Sequence, residues 1–89
     1  RQLKPTKAEI FMSPYSKAQK AIAILKDAVY SYLQERDGKP VKNSELGRAL
    51  GIYSGYSSGQ EGHIPRTILA IMESEEVIEQ NSDKEWTLK

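Results

Sequence analysis

Apolar residues recur at helical spacing in three stretches of the chain and alternate at strand spacing near its end. In the first stretch Ala18, Ile22, Leu25, Val29, Tyr32 and Leu33 share one side of a helix, with Ala21 and Ala28 beside them. Ser16 and Gln19 form an S-x-x-Q capping box that predicts the start of this helix, and Gly38 closes it. Ile24 falls off the stripe. Residues 39–42 are extended around Pro40 and turn Val41 inward. In the second stretch Leu46, Ala49 and Leu50 mark a short helix, capped by Asn43 or Ser44 and ended by Gly51.

The third stretch predicts a helix over about residues 60–75. Ile64, Ile68, Ile71 and Met72 gather on one side, with Leu69 flanking them. Pro65 must lie in the first turn, because a proline deeper in the helix removes a hydrogen bond and clashes. The opposite side carries His63, Arg66, Ala70 and Glu73, with Thr67 at its edge. The chain ends in a predicted hairpin, with strands over residues 77–80 and 85–88 joined by Asn81-Ser82-Asp83-Lys84. Trp86 and Leu88 share a face and are expected to cover the helices with Ile78. The pattern predicts a mainly α domain with a small β-hairpin, an α+β layout. Leu25, Leu46, Leu50, Ile64, Ile68 and Ile78 are expected in one core, with Trp86 mostly buried.

Three motifs carry a resemblance. They are Glu45-Leu46-Gly47-Arg48-Ala49-Leu50-Gly51-Ile52, Ile64-Pro65-Arg66-Thr67-Ile68, and Met72-Glu73-Ser74-Glu75-Glu76-Val77-Ile78. In these residues the chain resembles the winged helix-turn-helix family, over about residues 17–88. The resemblance implies three helices, the third entering the DNA major groove, and a terminal hairpin serving as the wing. The chain departs from the family twice. The family joins the second and third helices by a short turn, where this chain has the glycine-rich residues 51–62. It also tends to place glycine before the first wing strand, where this chain has Glu76.

Composition sets the scale. Eighty-nine residues make one domain with a modest core; the resemblance implies a winged helix over residues 16–89, preceded by an arm over residues 1–15. The arm is basic and holds the apolar triplet Ile10, Phe11 and Met12, which is expected to pack on the domain or on a partner. The absence of cysteine excludes disulfides and thiolate metal sites. No apolar run approaches the roughly 20 residues of a membrane span, and nothing resembles a signal peptide. A cytoplasmic or nuclear location is therefore expected, with no membrane partner. The chain begins at Arg1 rather than Met, which reads as a piece of a longer protein.

Net charge is only +1, but it is unevenly spread. Residues 1–48 hold ten Lys/Arg against five acidic residues, a net +5, and residues 49–89 hold three against seven, a net −4. Such asymmetry permits a basic face for phosphates or simply a mixed solvated surface.

Catalytic chemistry has no foothold. A single histidine, no cysteine and no nucleophile–base spacing argue against an enzyme, and His63 has no metal-ligand spacing. No cofactor is expected. The expected partner is double-stranded DNA, as for a transcription regulator. Arg66 would read a guanine edge or hold a phosphate, with Gln60, His63 and Thr67 beside it. Lys42, Ser44, Tyr53, Tyr56 and Lys84 would position the backbone. Two other readings stand beside this one. The low net charge and poor wing favour a protein-interaction module. An excised chain fits an accessory domain of a DNA-processing enzyme.

Overall fold

A computed structural model of the chain describes residues 13–53 and 62–89. The Ile10–Met12 triplet, Tyr56 and Gln60 lie outside the described residues. Three helices and a hairpin follow in order: α1 (Pro14–Glu35), α2 (Asn43–Ala49), α3 (His63–Ser74), β1 (Ile78–Gln80) and β2 (Trp86–Leu88). This is a mainly α fold with a small antiparallel hairpin, the layout expected of a winged helix.

The helix ends differ from the sequence reading in instructive ways. α1 is capped by Ser13, whose Oγ accepts a hydrogen bond from the Ser16 N–H at 3.1 Å, and not by Ser16. Pro14 explains the shift: its fixed φ and missing N–H suit the first helical position. α2 begins at Asn43 behind Lys42, with no side-chain cap. Asn43 instead turns its Nδ2 toward the Gly62 carbonyl at 3.4 Å and ties the start of α2 to the start of α3. α3 begins at His63 rather than near residue 60, because Gly62 takes a left-handed φ of 82° and turns the chain into the helix.

One apolar core lies where the three helices meet the hairpin. Val29, Leu33, Val41, Leu46, Ile68, Leu69, Met72, Ile78 and Trp86 are buried in it. Each fully buried side chain of this size contributes about 1.5–3 kcal/mol relative to exposure. Leu25 and Leu50 pack partly buried at its margin. Ile64 does not join it and stays 48% exposed. α3 instead buries Pro65, Ile68, Leu69 and Met72, an i, i+3, i+4, i+7 set. The buried side is thus rotated by roughly 100° from the Ile64–Ile71 side. Pro65 drives the rotation, since its ring packs against α2 where Gly47 offers no side chain.

The hairpin pairs Ile78 with Leu88, Glu79 with Thr87 and Gln80 with Trp86. Val41 adds a single bridge on the other side of Trp86, with Val41 N–H donating to the Trp86 carbonyl at 3.0 Å and Trp86 N–H to the Val41 carbonyl at 2.8 Å. The segment between α1 and α2 is thereby fixed to β2.

Candidate nucleic-acid interface

The outer side of α3 borders two separate hollows. The first is a cleft between α3 and the hairpin, about 460 Å³, lined by Asn43, Arg66, Ala70, Glu73, Gln80, Lys84 and Trp86. The second is an apolar groove between α3 and α1, where His63 and Thr67 sit beside Ile64. The residues read as one face of the third helix are therefore divided. Arg66 turns toward the hairpin, and His63 and Thr67 turn toward α1.

Arg66 and Lys84 are the cations of the cleft. Among the described residues neither pairs with a carboxylate, whereas Lys26 pairs with Glu75 at 2.8 Å, Arg36 with Glu45 at 3.3 Å and Lys89 with Glu76 at 3.8 Å. Glu73 brings one negative charge into the same cleft. Ala70 keeps the helix side of the cleft low, and the buried Trp86 borders it from the hairpin.

Lys84 reaches this position through a strained turn. Asn81 Oδ1 accepts from the N–H groups of Asp83 and Glu85, each at 2.9 Å. The Lys84 N–H donates to the Asn81 carbonyl at 3.0 Å, and Lys84 itself takes φ 62°. A three-residue hairpin loop normally puts glycine at this left-handed position. A lysine there costs about 1–2 kcal/mol. Glu76, at φ 62° where α3 gives way to β1, occupies a second such position. The chain thus takes left-handed geometry at Glu76, just before β1, with a residue other than glycine.

The remaining sequence-predicted residues fall elsewhere. Thr67 Oγ1 donates back to the His63 carbonyl at 2.8 Å, which leaves its lone pairs for a partner. Lys42 is exposed at the N-cap of α2, with Ser44 half-buried in its first turn. Tyr53 is wedged inward: a Cβ placed on Gly47 would stand 2.7 Å from its Cβ, and one placed on Gly62 would stand 2.8 Å from its Cε1. The Arg48 guanidinium covers the ring at 4.7 Å from its centroid. Tyr53 therefore holds α2 against the start of α3. Asn43 and Gln80 line the cleft and were not singled out from the sequence. Asn43 looked like a cap, and Gln80 carried no signal.

Among the described residues no helix is long and apolar enough to cross a membrane. No family model, curated protein or solved structure matches the chain.

Proposed function

We propose that this domain binds double-stranded DNA, with the exposed side of α3 in the major groove and the hairpin beside the backbone. The cleft carries the reading. Arg66 and Lys84 flank it without a carboxylate partner among the described residues, and Lys84 is held there at a conformational cost. A strained non-glycine residue that places a cation beside a helix is the kind of outlier that accompanies function. Arg66 holds a phosphate or a guanine edge, Lys84 holds the adjacent backbone, and His63 and Thr67 supply polar contacts from the other margin of α3. Lys42 and Ser44 lie at the start of α2, where a helix preceding the reader meets the backbone.

The test is a fluorescence-anisotropy titration of a labelled duplex at several salt concentrations. Each phosphate contact contributes about −0.9 to the slope of log K against log[salt], so three to six contacts give roughly −3 to −5. The competing reading is a protein-interaction module, which the exposed Ile64 beside an apolar groove favours. Absence of DNA binding even at low salt would transfer the assignment to that reading.

A further inference from the structure

We infer that the apolar groove between α1 and α3 is the docking site of the chain's own N-terminal segment, through Ile10, Phe11 and Met12. Ile22 and Leu25 of α1 and Ile64, Ile68 and Ile71 of α3 line the groove, which encloses about 290 Å³. That is at or below the small end of ligand pockets, about 300–1,000 Å³, and suits a few side chains. His63 and Thr67 are its polar lining residues among those described, so the groove offers little to a strongly charged ligand.

The groove does not stop at Ile22. α1 runs 22 residues, but its buried residues are Val29 and Leu33, and its partly buried apolar ones begin at Ile22. The two turns before Ile22 are exposed. On that overhang Pro14, Ala18 and Ala21 continue the side of the helix that carries Leu25. Lys17 flanks this side, and Lys20 lies around on the far side. A smooth apolar track thus leads from Ser13 into the groove.

The occupant follows from where the track begins. Twelve residues precede Ser13, and the apolar triplet directly adjoins this N-cap residue. Ile22 lies about 12 Å along the helix axis from Pro14 at 1.5 Å per residue. Three extended residues reach about 10 Å, and the Ile10 or Phe11 side chain closes the remainder. A tether this short gives an effective concentration in the millimolar range, above that of a second copy in dilute solution.

The experiment uses the full 89-residue chain with labelled isoleucine and leucine methyls. Nuclear Overhauser contacts are expected from the Phe11 ring to the Ile22, Ile64 or Ile71 methyls. Phe11→Ser should abolish them, shift those methyl signals and lower the melting temperature by roughly 4–8 °C. Ile24→Ser, on the far side of α1, should leave the groove signals in place. Missing contacts in the wild type, or a Phe11→Ser spectrum unchanged at the groove, would overturn the assignment. So would a light-scattering mass twice the 10.0 kDa of one chain that falls to one chain on Ile64→Asp, because the groove would then hold a second copy.

Discussion

Gly47 and Pro65 touch so closely that a Cβ on Gly47 would stand 2.9 Å from Pro65 Cγ. The contact joins the middle of α2 to the first turn of α3 and sets the rotation of α3 about its own axis. Alanine in place of glycine inside a helix normally stabilises it by about 1 kcal/mol. Here the same methyl would also strike Tyr53 Cβ at 2.7 Å, and neither neighbour is the free end of a flexible side chain. Gly47→Ala is therefore expected to destabilise by about 1–3 kcal/mol net. Urea unfolding measures it, and a gain in stability would remove this contact as the determinant of the α2–α3 packing.

Lys84→Gly should move stability and binding in opposite directions. Relief of the left-handed strain outweighs the extra freedom of an unfolded glycine by about 0.5–1 kcal/mol, so the melting temperature rises. If Lys84 holds the DNA backbone as proposed, loss of the cation should weaken every duplex and lower the salt slope by about one. A variant both stabler and equally tight on DNA would show that Lys84 serves neither the turn nor the partner.

Arg66→Ala should leave stability within about 0.5 kcal/mol, since the side chain is exposed and makes no ion pair among the described residues. A guanine contact predicts a loss of about 1–3 kcal/mol on cognate DNA and relaxed preference at one base. A phosphate contact predicts equal loss on all sequences. Titration of several duplexes at two salt concentrations tells these apart, and unchanged affinity throughout excludes Arg66 from the interface.

Trp86 is the sole tryptophan, buried at 8% exposure, and it borders the cleft with Arg66 and Lys84. If the proposed DNA-bound reading holds, its fluorescence is expected to change on adding duplex, with the same midpoint as the anisotropy titration. An unperturbed spectrum at saturating duplex would place the contact elsewhere on the domain.

Local pattern carried much of the fold. Alternation around Trp86, the inward Val41 beside Pro40, and Gly51 behind Leu50 are signals a few residues long, and each led to the observed element. The rotation of α3 was not legible in the same way. Ile64 and Ile71 outweigh Pro65 on any hydrophobic scale, and proline reads as punctuation until a facing glycine makes it a packing surface. The candidate site inherits that error: the rotation sends Arg66 to the hairpin and His63 to α1. Lys84 was visible as a tip cation, but its left-handed backbone was not, because lysine seldom adopts it.

Tyr53 and Gly62 stand at the two ends of residues 54–61, yet they lie in van der Waals contact. The helices on either side are thus clamped before the intervening sequence is considered. Closing a flexible loop costs only about 0.6 kcal/mol more for each doubling of its length. A change in the number of residues between Tyr53 and Gly62 is therefore expected to cost the scaffold little.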